Sequence, residues 1–84
     1  MSLNKQVKTK EQKPLPKWFD GTIYNEGSEV ENRLGYGSIW LEPNELAMYD
    51  LIMGAQMMGE YKLMNKGLSW FRSANPEAYM VLLD

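Results

Sequence analysis

Apolar positions follow two different rhythms along this chain of 84 residues. Between residues 45 and 58 the rhythm is helical: Leu46, Tyr49, Ile52, Met53 and Met57 recur at three- and four-residue spacing, and Met48, Leu51 and Ala55 widen the apolar arc well beyond a narrow stripe. Pro43 suits the first helical position, and Glu42, Asn44 and Glu45 place acceptors and negative charge at the positive end of the dipole, so the pattern predicts a helix starting at Pro43. Gly54 lies inside it, where it costs about 1 kcal/mol against alanine, which points to a close approach by another backbone. Gly59 is the expected C-terminal cap. A second helix is predicted over 60–74, with Leu63, Met64, Gly67, Leu68 and Phe71 on one side and Lys62, Lys66, Ser69 and Arg72 mostly on the other. Asn75 as N-cap and Pro76 at the first position open a third helical piece whose Tyr79, Val81, Leu82 and Leu83 are expected to dock on the other helices or on another subunit.

Upstream of Glu42 the period shortens to two. In "SIWLE", Ile39 and Leu41 fall on one side and Ser38, Trp40 and Glu42 on the other, while "SEVENRL" offers Val30 as an inward residue among charges. Gly35 to Gly37 supply the turn, so the expectation is a small hairpin. Two strands alone are marginal in water, which requires the hairpin to lie on the helices. Together these elements predict an α+β domain over 18–84: a small β-hairpin followed by two to three short helices.

Residues 1–17 read differently. They hold Lys5, Lys8, Lys10, Lys13 and Lys17 against Glu11 alone, with no continuous apolar run and an extended "PLP", so they are expected to form a disordered basic arm and not a secretory signal. From Trp18 onward ten carboxylates face four cations, so the net charge of −2 hides two segments of opposite sign.

The chain has neither cysteine nor histidine. That removes disulfides, thiolate chemistry, cysteine-ligated metal sites and the side chain that most often titrates near neutrality. Catalysis would have to use carboxylates, lysines or tyrosines. The candidate pairs Glu42 with Glu45 and Glu29 with Glu31 read as helix-cap and strand-edge charges. Neither "GYG" nor "GLS" matches a phosphate loop, and there is no calcium-loop pattern. The expectation is a protein that is not an enzyme, with no catalytic, cofactor-binding or metal-ligating residues.

The methionine-rich segment is too short and too interrupted by Asp50, Gly54 and Gln56 to span a membrane, and it lacks the basic polar side of an interfacial helix. Methionine serves both as core filler and as adaptable binding surface, and any single methionine at helical spacing reads first as core. An arc this wide exceeds what one hairpin and two short helices cover, so the expected partner-binding residues are Met48, Leu51, Gly54, Ala55 and Met58, with a homodimer as the expected assembly. The leading expectation is thus a small non-enzymatic interaction protein. An alternative is nucleic-acid binding through Lys5, Lys8, Lys10, Lys13 and Lys17 with the aromatics Trp18 and Trp40; against it, Asp20, Glu26, Glu29, Glu31 and Glu42 among the aromatics would repel phosphates. Arg33 is expected to stack on a ring or pair with a carboxylate.

Three stretches, "FDGTIY" at 19–24, "ELAMYDLIMGAQM" at 45–57 and "WFRSANPEAYMVLLD" at 70–84, resemble a small protein family encoded by contractile-tailed marine cyanophages and related ocean viruses, to which no catalytic or binding residues are assigned. The resemblance implies a viral origin, a setting in the cytoplasm of an infected bacterial host or in a virion, and a host or viral protein as a possible partner.

Overall fold

The structure, a computed structural model, describes residues 12–84. Lys5, Lys8 and Lys10, and the greater part of the expected arm, lie outside the described residues. The elements are β1 (Ser28–Glu31), β2 (Ser38–Leu41), α1 (Pro43–Met57), α2 (Tyr61–Ala74) and α3 (Pro76–Leu82), giving the α+β architecture that the patterning predicts. β1 and β2 form an antiparallel hairpin in which Val30 faces Ile39 and Glu29 faces Trp40. Because side chains alternate, Val30, Ile39 and Leu41 share the face that packs on the core, and Glu29, Glu31, Ser38 and Trp40 face solvent. Asn32 shapes the turn: its side-chain oxygen accepts from Leu34 N–H at 2.6 Å and its backbone N–H donates to the Gly37 carbonyl at 2.7 Å. Gly35 and Gly37 sit at φ 78° and 148°, values that other residues rarely adopt. The Asn32 amide also donates to the Val81 carbonyl at 2.7 Å, fastening the turn to α3.

α1 begins at Pro43, and the Glu45 carboxylate reaches back to accept from the Glu42 backbone N–H at 3.0 Å, satisfying a donor at the helix start. It ends in a Schellman turn. Gly59, at φ 73°, donates to the Gln56 carbonyl at 3.2 Å, and Glu60 donates to the Ala55 carbonyl at 2.8 Å. This turn fixes the angle at which α2 returns along α1. The two helices meet at Gly67, where a Cβ would fall 2.7 Å from Ile52 Cγ1 and 3.4 Å from Met48 Sδ. Within one copy the close approach is at Gly67; around Gly54 the described residues place nothing within 4 Å of where a Cβ would stand. The core formed between α1, α2, α3 and the end of β2 contains Leu41, Met48, Tyr49, Ile52, Trp70, Phe71, Ala78 and Leu82, with the Tyr49 and Phe71 rings 6.5 Å apart and tilted. Full burial of Phe71, Leu41, Met48 and Ile52 contributes about 2 kcal/mol each.

Residues 12–17 do not behave as the end of a free arm. The Trp70 indole N–H donates to the Pro14 carbonyl at 3.1 Å, and Asn44 donates through its backbone to Gln12 Oε1 at 2.9 Å and through its side chain to the Lys13 carbonyl at 3.0 Å. Leu15 packs against the core. The reason is accounting of polar groups: a buried indole N–H and an early N–H of α1 both need acceptors, and this strap supplies them.

Candidate functional site

Of the five residues expected to bind a partner, the structure assigns two to the interior. Met48 is 0 % exposed, beneath Gly67, and Ala55 is 4 % exposed, so neither presents a side chain to a partner. Met48 and Ala55 lie, with Ile52, on one side of α1, and Met48 and Ile52 meet α2 at Gly67. The other three remain accessible. Leu51, Gly54 and Met58 line an open groove of about 270 Å³ whose floor includes Ala55, whose far wall is Leu63 of α2, and whose rim is the backbone bend at Asp20 to Thr22. Met57 and Met58, 87 % and 75 % exposed, project where α1 turns into α2, with Tyr61 exposed just beyond. On the other flank of α1, Met53 and Met57 border a second hollow of about 400 Å³ with Arg33 and Gln56. Among the described residues Arg33 has neither a ring nor a carboxylate as partner: its Nη1 reaches Gln56 Oε1 at 3.5 Å and Met53 Sδ at 4.0 Å. Met57 and Leu63 were expected as apolar helix positions, and neither they nor Tyr61 were among the five expected partner-binding residues. The helical spacing of Met57 was visible, but nothing local shows that α2 leaves it uncovered.

The nucleic-acid candidates divide between two surroundings. Trp18 packs against the core beside α2 with Lys66 Nζ 4.7 Å from its ring centre, and Lys13 Nζ donates to Ser73 Oγ at 2.8 Å. Lys17 is exposed in the intervening turn. Trp40 lies on the outer face of the hairpin, against Gly27, and lines a cleft of about 370 Å³ whose walls include Glu42, Glu45 and Glu77 as well as Lys13. Of the carboxylates that argued against phosphate binding, Glu42 shares the cleft with Trp40, where Glu45 and Glu77 join it, while Trp18 has Lys66 over its ring.

Asp50 is the acceptor for the Tyr24 hydroxyl, which ties the irregular 19–27 segment across α1. That hydrogen bond, then partial desolvation, then repulsion by the carboxylate raise the Tyr24 phenol above its ordinary pKa of 10.0. Glu45, only 7 % exposed, is held by two donors, Glu42 N–H and the Asn75 amide at 3.1 Å, so it has the helix-cap role read from the sequence and a second tie to the start of α3. Among the described residues no group of three or more acidic side chains is placed to hold a metal ion, and no helix is long and apolar enough to cross a membrane. No protein-family model, no curated protein and no solved structure matches the chain.

Proposed function

We propose that this chain is a small non-enzymatic interaction protein that works as a pair of copies joined through the outer side of α1. The observation that supports this reading is the mismatch between α1 and its cover. A helix apolar around most of its circumference is normally enclosed, and Ala47, Met48, Tyr49, Ile52 and Ala55 are; toward the end of α1 the cover gives out, leaving Leu51 and Gly54 half-buried and Met58 exposed on the open groove and Met57 exposed on the other flank. Gly54 lets a second backbone approach, and a two-fold pair closes without leaving a further open face. The cytoplasm of an infected bacterium is the setting we propose for it, on the strength of the sequence resemblance alone.

Because a Cβ at Gly54 has no atom of the described residues within 4 Å, Gly54→Leu is expected to leave the fold of one copy intact and to act on what approaches from outside. Sedimentation equilibrium is expected to show a wild-type dimer at micromolar concentration and a weakened one for Gly54→Leu, with unchanged circular dichroism. A wild-type monomer under these conditions ends the proposal.

A further inference from the structure

Charge is unevenly distributed over the fold. Residues 12–19 and α2 together carry Lys13, Lys17, Lys62, Lys66 and Arg72 and no carboxylate, whereas the other described residues carry ten carboxylates and a single cation, Arg33. The two basic stretches are far apart in sequence, and packing lays them side by side. Lys13 touches Ser73, Pro14 accepts from Trp70, and Trp18 lies under Lys66, so the strap runs antiparallel along α2. Lys62, Lys66, Ser69, Arg72 and Ser73 are exposed. From Lys62 to Arg72 this face is about 15 Å long at the helical rise per residue. Aromatic rings interleave with its cations: Tyr61 is exposed at one end, Trp18 lies beside Lys66, and the Arg72 guanidinium is 5.6 Å from the centre of the Tyr79 ring.

We infer that this face binds single-stranded nucleic acid, with the cations of α2 and the strap on the phosphates and the exposed Tyr61 ring offered to a base, while Trp18, packed on the core, holds Lys66 in place. Cations that follow a backbone beside aromatic rings that accept any base are the means by which single strands are held without sequence preference. A duplex keeps its base faces stacked away and leaves the rings without a role. A lipid surface fits less well, since an interfacial helix inserts apolar side chains, and those of α2 are committed to the core through Gly67, Trp70 and Phe71. The inference uses a different face from the pairing of α1 and stands independently of it.

Fluorescence anisotropy of the full chain with a labelled oligothymidylate of about 16 nucleotides tests it. Binding is expected at low salt, with the logarithm of the affinity falling linearly in the logarithm of salt concentration. Lys62→Glu combined with Lys66→Glu, both exposed, is expected to weaken binding about tenfold or more and to reduce the salt slope by about two. Tyr61→Ala should weaken binding about tenfold with the slope preserved, since it removes stacking and no charge. Arg33→Glu, a cation off this face, should change neither. The inference is overturned by absent binding at low salt, by an unaltered slope in the double variant, or by an equal loss on Arg33→Glu. Equal affinity for the corresponding duplex, for polyglutamate or for anionic phospholipid vesicles overturns it as well, by showing a surface that answers to negative charge alone.

Discussion

Gly67 and Gly54 occupy neighbouring helices and have opposite needs. At Gly67 a methyl group would stand 2.7 Å from Ile52 Cγ1, and Ile52 is buried and β-branched, with no free direction in which to swing. Gly67→Ala is therefore expected to lose about 1–3 kcal/mol through overpacking, more than the roughly 1 kcal/mol that alanine gains in helix propensity. At Gly54 no such contact exists, so Gly54→Ala should gain about 0.5–1 kcal/mol. Urea midpoints of the two variants check this, and the reverse order would contradict the α1–α2 packing. Tyr24 gives a pH-dependent test at the same scale. Its raised phenol pKa means that its bond to Asp50 contributes stability in full below the ordinary value of 10.0 and loses that contribution as pH rises through the raised value. Asp50→Asn removes the charge, so one tyrosine of the variant should ionise at lower pH than in the wild type when phenolate absorbance is titrated; superimposable titrations would remove the contact from the account.

At the scale of elements, the junction between α1 and α3 depends on one side chain. Asn75 accepts from the Ala78 N–H at 3.1 Å as the cap of α3 and donates to the buried Glu45 carboxylate, which in turn holds the start of α1. Asn75→Ala thus removes a cap, worth about 1 kcal/mol, and leaves a buried carboxylate short of a donor, worth about 1–3 kcal/mol. Equilibrium unfolding should show a loss of about 2–4 kcal/mol, and a loss no larger than an ordinary cap would deny Glu45 its role. Asn75 also marks the limit of what the sequence reveals. Pro43, Gly59 and the Asn75–Pro76 pair announce helix ends because their effects are local, and the alternation through Ser38 to Leu41 announces a strand for the same reason. Which residue stands opposite is another matter. Nothing in the chain pairs Asn75 with Glu45, Asn32 with the Val81 carbonyl, or Gly67 with Ile52, because those distances arise only when whole elements pack. The candidate groove was legible to the same extent: its apolar residues followed from periodicity, while the removal of Met48 and Ala55 to the core depended on which side of α1 meets α2.

Over the whole molecule, the segment composition marks as free is partly structural. Charge and lack of apolar residues describe residues 1–17 taken together, but Leu15 and the carbonyls of Lys13 and Pro14 do work that an average over the segment hides. The strap crosses from the start of α1 to the side of α2, so it holds the helical layer together and sets lysines beside lysines. Chains beginning at Gln12 and at Trp18 differ only by this strap. The shorter one loses the acceptor for the Trp70 indole, the cover that Leu15 gives the core, and the Gln12 acceptor for the Asn44 N–H. An unsatisfied buried donor costs about 1–3 kcal/mol, and a domain of this size shifts its melting midpoint by about 4–8 °C per kcal/mol, so the chain starting at Trp18 should melt at least about 4 °C below the one starting at Gln12. Replacing Trp70 by phenylalanine in both chains should narrow that gap, since a ring without an N–H no longer needs the Pro14 carbonyl. Equal midpoints for the two chains would return residues 12–17 to the role of a free tail, and with them Lys13, Lys17 and the cationic face they complete.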